Sequence, residues 1–300
     1  MKNFYRTAAV IILNYNSGIN TTSLVNKLIS FKTNIHILVV DNMSTDNSYV
    51  QLVNEFMGII EVDVIQSEYN GGYGYGNNFG IQYVREKYNV EFVGILNPDV
   101  IIYNIDIISA MIDALKNNSD LAIVGAQIID YNNYYNINAS GWNVPSNSEL
   151  ILNHSLLFNR RNKKNTIFKI KDNIAICDCV AGCFFFTRIK TFEKIGMFDE
   201  HVFLYNEENL LGINCKEKGY YNGFIIDKYY VHNHIHAVND RHTFLKKIRV
   251  AKTGYVSRMY LCKKHYIKYL VPLLYFIEIM NRIVYIIIYA KILLLGDKRG

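Results

Sequence analysis

Short runs of isoleucine, valine and leucine, with no apolar/polar beat inside them, alternate with amphipathic stretches through the first half of the chain. Ala8–Leu13, Ile35–Val40, Ile59–Ile65 and Glu91–Leu96 read as strands, and Thr21–Ser30, Asp46–Phe56 and Asn77–Tyr88 as the helices between them. A strand that is apolar at every position needs cover on both faces, and helical crossovers supply that cover while making successive strands parallel. The pattern therefore predicts an α/β fold around a mostly parallel, doubly wound sheet. With 300 residues, half of them apolar, the chain is long enough to bury such a core, and with three prolines and 19% charged residues it is neither disordered nor proline-rich.

One more helix is expected at Ile107–Lys116 and one more strand at Leu121–Ile129, after which the rhythm breaks. Residues 131–173 are rich in Asn, Tyr and Ser and read as an irregular excursion or an edge hairpin; their Arg160-Arg161-Asn162-Lys163-Lys164 run reads as a solvated loop. Ile174–Phe186 forms a second apolar strand region, followed by helices at Ile189–Ile195 and Glu207–Lys218 and short strands at Tyr221–Ile226 and Lys228–His232. From Arg241 onward only helices are expected. The boundaries are an α/β domain over 1–240, in halves 1–100 and 101–240, and a helical extension over 241–300.

Ligands of open α/β sheets bind outside the carboxyl ends of the strands. Four polar stretches stand there: Asn14-Tyr15-Asn16-Ser17, Asp41-Asn42-Met43-Ser44-Thr45-Asp46, Asn70-Gly71-Gly72-Tyr73-Gly74-Tyr75-Gly76-Asn77-Asn78, and Asn97-Pro98-Asp99. Asp41 could accept from an imide N–H or a ribose hydroxyl, or serve the loop alone, while Asp46 reads as the cap of the next helix. The glycine-rich stretch permits close backbone approach and opens a helix at Asn77, an arrangement suited to a diphosphate. It has the spacing of neither a dinucleotide fingerprint nor a P-loop. Asp99, in a turn fixed by Pro98, is the type of carboxylate that holds Mg²⁺ or Mn²⁺ together with substrate phosphates.

Other groups have plainer readings. Cys177, Cys179 and Cys183 would share one strand face, and with Cys215 and Cys262 they read as buried free thiols rather than a zinc site. His232, His234 and His236 lie at period-two spacing, and taken alone are ordinary polar positions. An adjacent pair such as Glu207-Glu208 at a helix start is commonly solvated charge that complements the helix dipole.

Taken jointly, the segments Val10–Asn16, Val39–Asp46, Asn70–Asn78, Leu96–Asp99, Gly182–Phe186, Gly196–Glu200, Phe203–Glu208 and His232–His234 resemble, in order and spacing, a family 2 glycosyltransferase of the GT-A fold, of the rhamnosyltransferase-like kind found in bacterial polysaccharide assembly. The resemblance covers about residues 8–236. It implies an inverting enzyme that takes a nucleotide-diphospho-sugar, UDP- or dTDP-linked, and a divalent cation, Mn²⁺ or Mg²⁺. Asp41 would contact the base, with Asn14, Tyr15, Asn16, Asn42, Asn70, Gly71, Gly72, Asn77, Asn78 and Asn97 in the nucleotide-sugar pocket. Asp99 would bind the metal, with His232 or His234 as a further ligand. Glu208, paired with Glu207, would be the general base; Leu210 stands where many relatives carry a further Asp.

The net charge is +6, but Lys and Arg become dense only after Arg241, which points to an anionic membrane surface and not to nucleic acid. The apolar run near the start ends at Asn14-Tyr15-Asn16 without a small-residue cleavage site, and the five cysteines are few, so a cytoplasmic protein peripheral to the inner face of the cell membrane is expected. Leu270–Leu295 is long enough to span a bilayer but carries Pro272, Glu278, Arg282 and Lys291, so it is expected to attach without crossing. A helical hairpin packed on the first domain or on a second copy, giving a homo-oligomer, is the competing expectation. The acceptor implied is a glycan or lipid-linked glycan, and the alternative function is a non-catalytic nucleotide- or glycan-binding partner of the same fold.

Overall fold

A computed structural model describes residues 8–129, 134–156, 168–232 and 241–295. The first half follows the expected alternation: β1 (Ala8–Asn14), α1 (Gly18–Ser30), β2 (Ile35–Asp41), α2 (Ser48–Phe56), β3 (Val62–Gln66), α3 (Tyr73–Lys87), β4 (Phe92–Leu96), β5 (Val100–Ile101), α4 (Asp106–Asn117) and β6 (Leu121–Ile129). Then come α5 (Ile137–Ser140), β7 (Gly141–Trp142), α6 (Asn147–Leu152), β8 (Lys169–Lys171), β9 (Ile174–Cys177), β10 (Cys179–Val180), β11 (Phe184–Arg188) and α7 (Ile189–Lys194). The chain continues through α8 (Glu207–Glu217), β12 (Tyr221–His232), α9 (Arg241–His265) and α10 (Leu270–Leu295).

The main sheet has the order β3-β2-β1-β4-β11-β6-β12-β9-β8, with β5 added to the end of β12. Strands β3, β2, β1 and β4 are mutually parallel, and β12 is parallel to β6. Strand β11 runs antiparallel to both β4 and β6. Alternate residues of β1 feed opposite layers. Ala8, Val10 and Ile12 pack with α1, α2 and α4, while Ala9 and Ile11 pack with α3, α7 and α8. Two-sided burial is thus the physical reason these strands carry no polar beat.

The chain forms two compact units. The sheet unit comprises 1–144, 165–200 and 207–234; the helical unit comprises 145–164, 201–206 and 235–300, so it takes in more than the extension from 241. Inside the helical unit, Ser146 and Glu149 make a capping box that starts α6. Arg258 Nη1 donates to the Leu150 carbonyl at 3.2 Å and Tyr266 Oη to the Pro145 carbonyl at 2.6 Å, which ties α9 to that region. Helix α10 is apolar on the outside: Leu273, Phe276, Ile279, Ile283 and Ile286 are exposed, while its buried stripe carries Leu274, Glu278 and Asn281. Leu270–Lys291 is long and apolar enough to cross a membrane by length and composition.

Three local expectations are corrected. Helix α3 begins at Tyr73 instead of Asn77, so most of the glycine-rich run is helix and not loop. The glycines of this helix serve packing: a Cβ on Gly76 would run into Leu13 Cδ1, and one on Gly80, just past the run, would lie 2.9 Å from both Ile11 Cγ2 and Val40 Cγ2. The apolar stretch Ile174–Phe186 is three strands, broken at Asp178 and again at Ala181-Gly182-Cys183, so Cys177, Cys179 and Cys183 do not share a strand face, although all five cysteines are free and buried. The two short strands after Tyr221 are one, β12, which keeps its pairing with β6 across a register shift between Ile225 and Tyr229. His234, His236 and the Arg160–Lys164 run lie outside the described residues.

Gly80→Ala sets two effects against each other. A helix gains about 1 kcal/mol from Gly to Ala, but overpacking a tight contact costs about 1–3 kcal/mol. Ile11 and Val40 are β-branched and cannot swing clear. A lower denaturation midpoint with unchanged slope is expected; a higher midpoint would show that α3 can lift off the sheet.

Candidate active site

The carboxyl ends of β1, β2, β3 and β4 are the residues Asn14, Asp41, Gln66 and Leu96, and in-register pairing sets Asn14 beside Asp41 and Asp41 beside Gln66. Asp41 is fully buried and accepts four hydrogen bonds: from Asn14 Nδ2 at 2.8 Å, Ser44 Oγ at 2.6 Å, the Ser44 N–H at 3.0 Å and Gln66 Nε2 at 3.0 Å. Asn14 is buried too, donating also to Ser48 Oγ at 3.0 Å and accepting from Thr21 Oγ1 at 2.8 Å. Asn16 takes the left-handed conformation and clips the next loop, its Oδ1 accepting from the Thr45 N–H at 2.8 Å. Tyr15 beside it is exposed. The expected cap at Asp46 falls one residue short: Asn47 is the N-cap of α2, and Asp46, just before it, makes a turn whose Oδ1 accepts from the Ser48 N–H at 3.0 Å.

Asn42 continues the same rim. Its Nδ2 donates to Asn70 Oδ1 at 3.0 Å and to the Gly72 carbonyl at 3.1 Å. Gly72, at φ 93°, supplies the left-handed turn into α3, and Gly71 lies against the Tyr75 ring. Asn78 binds the Phe198 carbonyl at 2.9 Å and Glu200 Oε1 at 2.8 Å. Asn77 donates to the Tyr73 carbonyl at 2.9 Å, and its buried Oδ1 has no partner among the described residues. The amides and carboxylate expected to line a pocket are thus largely occupied in joining one strand end to the next.

Strand β11 carries the second half of the site. Because it runs backwards, its first residue Phe184 pairs with Leu96, the last of β4, and the preceding Gly182-Cys183 reaches the edge where the other strands end. Tyr73 Oη, in the first turn of α3, donates to the Gly182 carbonyl at 2.7 Å and lies 3.0 Å from Asn97 Oδ1. The Glu208 carboxylate, in the first turn of α8, accepts from the Gly182 N–H. A Cβ on Gly182 would sit 2.8 Å from Glu208 Oε1, so only glycine leaves the carboxylate its place. Burial raises the Glu208 carboxyl above its ordinary range, and the hydrogen bonds from its own and the Gly182 N–H only partly oppose this. Glu207 is buried, and Leu210 packs into the core at 1% exposure.

Strand β5 pairs with the end of β12, Val100 opposite His232, and so sets Asp99 against the imidazole with Oδ2 3.3 Å from Nε2. Burial disfavours the charged ring, but hydrogen bonds with Asp99 and Cys183 outweigh it and push its pKa up to about 10. Cys183 Sγ also lies 3.2 Å from Tyr230 Oη. Among the described residues no set of three His, Cys, Asp or Glu side chains is arranged around a metal. A carboxylate and an imidazole are nonetheless a fitting pair of donors for a divalent cation that completes its shell with substrate oxygens.

A continuous line of contacts runs from Glu208 through Gly182-Cys183 to His232 and Asp99. Residues 9–196 match the model of glycosyl transferase family 2. The chain belongs to glycosyl transferase family 2. It is 26% identical over 200 residues to the low-salt glycan biosynthesis hexosyltransferase Agl10 of Haloferax volcanii, covering 67% of this chain but only 58% of that protein. Its fold is that of GT-A glycosyltransferases. It matches GalNAc-T7 solved with UDP, GalNAc and Mn²⁺ at TM-score 0.56 and 14% identity, over 93% of this chain and 55% of the other. It also matches a mannosyltransferase of Pyrobaculum calidifontis solved with GDP-Man and Mn²⁺ at TM-score 0.54 and 13% identity, over 97% and 81%.

Tyr73 lies within the stretch expected at the pocket, but the sequence does not show its contacts with Gly182 and Asn97. Its signal was hidden because a tyrosine between glycines reads as loop, whereas in the first turn of a helix it is aimed at the neighbouring strand end. For this site, Gly182→Ala is expected to displace the Glu208 carboxylate and lower the rate of any reaction that uses it by at least tenfold, with nucleotide affinity within a few-fold of the parent. Equal rates in a turnover assay would show that Glu208 has room to retreat.

Proposed function

We propose that this chain is an inverting, metal-dependent glycosyltransferase that moves a sugar from a UDP- or dTDP-linked donor to a glycan or lipid-linked glycan acceptor in bacterial surface polysaccharide synthesis. The observation that carries the reading is the line of contacts joining Glu208 to the Asp99–His232 pair on one sheet edge. The hexosyltransferase relative and the UDP and Mn²⁺ of the structural neighbour support the donor and cation classes.

Glu208 is the general base in this reading. Raised by burial, its carboxylate is a stronger base than an exposed one, and the Gly182 N–H orients it. It takes the acceptor hydroxyl's proton as that oxygen bonds to the anomeric carbon, and the bond to the diphosphate oxygen breaks on the opposite face. One displacement inverts the centre through an oxocarbenium-like transition state. A Mg²⁺ or Mn²⁺ held by Asp99 and His232 would offset charge on the departing diphosphate. The rim from Asn14 to Asn78 gives the nucleotide a rigid bed, and Asp41, with four internal bonds, reaches a base only if Gln66 or Ser44 yields.

Glu208→Gln is expected to abolish transfer while leaving nucleotide-sugar affinity within a few-fold, and chelation to abolish it in the parent. In the parent, the rate should rise with pH through a group above the ordinary glutamate value of about 4.3, because only the ionised form accepts the proton. An acid limb at or below that value, or full turnover in excess chelator, would count against the assignment.

The outward apolar face of α10, with exposed Lys246, Lys247, Arg249, Lys252, Lys263, Lys264 and Lys268 in and after α9, supports attachment to the cytoplasmic face of a membrane rich in anionic lipid. Arg258 is not part of that basic surface, being drawn inward to the Leu150 carbonyl. The Glu278 carboxylate is tied to His154, outside α10, at 3.1 Å, which favours a helix lying in the interface over one crossing it, although its pair with Arg282 at 3.0 Å lowers the cost of burying the charge. The full chain should sediment with anionic vesicles and be released by high salt, and Phe276→Glu with Ile283→Glu should leave it in the supernatant. A compact dimer at low salt with no vesicle binding would assign the face to a second copy instead.

A further inference from the structure

The helical unit contains a cavity of about 340 Å³ that the catalytic proposal does not use. Residues from all three of its chain segments line it, among them His154, Tyr205, Asn206, Arg258, Glu278 and Asn281. At roughly 30 Å³ for each water, the volume equals about eleven waters, which is room for one hexose ring and lies at the lower end of ordinary small-molecule sites.

The walls decide the chemistry of the occupant. Arg258 is the one full positive charge among the lining side chains and Glu278 the negative one, while burial and the nearby Arg258 hold His154 below its usual range, toward the neutral ring. The lining is therefore close to electroneutral, a poor setting for a phosphate. It is rich in side chains that both donate and accept, as hydroxyls do. Asn281 already spans the Leu156 N–H at 2.9 Å and the His154 carbonyl at 2.8 Å, which fixes its amide plane. Arg258 Nε is buried without a partner among the described residues, a donor left for something the cavity receives. Tyr205 and Tyr285 add aromatic faces for the C–H side of a sugar.

Helix α9 keeps the space open with small residues. Gly254 and Ala251 both line it, and a Cβ at Gly254 would meet only Tyr205 Cδ2, at 3.7 Å. A larger side chain there fits the backbone and fills the cavity. Tyr205 and Asn206, both left-handed, immediately precede Glu207-Glu208 in the chain.

We propose that this cavity is a carbohydrate subsite that takes one neutral pyranose residue of the acceptor. The assignment to the acceptor rests on the glycosyltransferase reading; the binding of a neutral sugar does not. The test uses the full-length chain and saturation-transfer NMR with methyl glycosides of glucose, galactose, N-acetylglucosamine and rhamnose. At least one should receive saturation in the parent and in Asp99→Ala, and lose it at least fivefold in Gly254→Leu and in Ala251→Leu. Both cavity variants should keep the parent's circular dichroism and nucleotide affinity. In transfer assays they should raise the acceptor KM at least tenfold with the donor KM unchanged.

No saturation of any glycoside, saturation that survives both cavity variants, loss in Asp99→Ala, or displacement of the glycoside by millimolar inorganic phosphate would each overturn the subsite. Glycoside binding that depends on the cavity in a chain that transfers no sugar would keep the subsite and overturn the glycosyltransferase reading.

Discussion

Strand β11 runs against both of its neighbours, and the placement of the candidate chemistry depends on that reversal. A parallel strand in its position would send Gly182 and Cys183 to the opposite edge of the sheet. Running backwards, it hands them to the edge where β4 ends, where Gly182 meets Tyr73 and Glu208 and Cys183 meets Tyr230 and His232. The antiparallel ladder between β4 and β11 fixes this placement by backbone pairing, which side-chain motion cannot undo.

The other half of the edge is set by buried amides and carboxylates. Asn14, Asp41 and Asn42 are each buried and each bonded across to another strand end or loop. In a low-dielectric rim a polar network is favourable only when its members are satisfied, and a satisfied network is rigid. The rim thus has a shape before any ligand arrives, as a site that distinguishes bound states requires.

Much of this was legible in the sequence because the sheet is covered on both faces, and strands with water on one side do not carry uninterrupted Ile/Val runs. Polar strand ends were equally plain. What misled was local composition. Gly74 and Gly76 read as loop by propensity, but they lie in the first turns of α3 where a Cβ would meet Phe198 and Leu13, and tertiary contact overrode propensity. The run from Ile174 to Phe186 is apolar but for Asp178 and Gly182, and single interruptions of that kind also occur inside one strand, so its pattern did not mark the turns. The break at Asp178 shows only through distant partners, the Val144 N–H and Lys216 Nζ. Tyr73 and the cavity in the helical unit share this difficulty, since each is made by residues far apart in sequence.

The helical unit is assembled from three stretches of chain, 145–164, 201–206 and 235–300. Arg258 reaches a carbonyl 108 residues earlier and Tyr266 one 121 residues earlier. During synthesis the early stretches therefore emerge without their partners and must wait for the last helices before this unit can close. Recombination meets the same obstacle. Exchanging the tail alone between relatives would pair new helices with an old Pro145–Ser155 segment, so this unit is inherited intact only when all three pieces travel together, and its divergence should proceed by coordinated substitution and not by module shuffling.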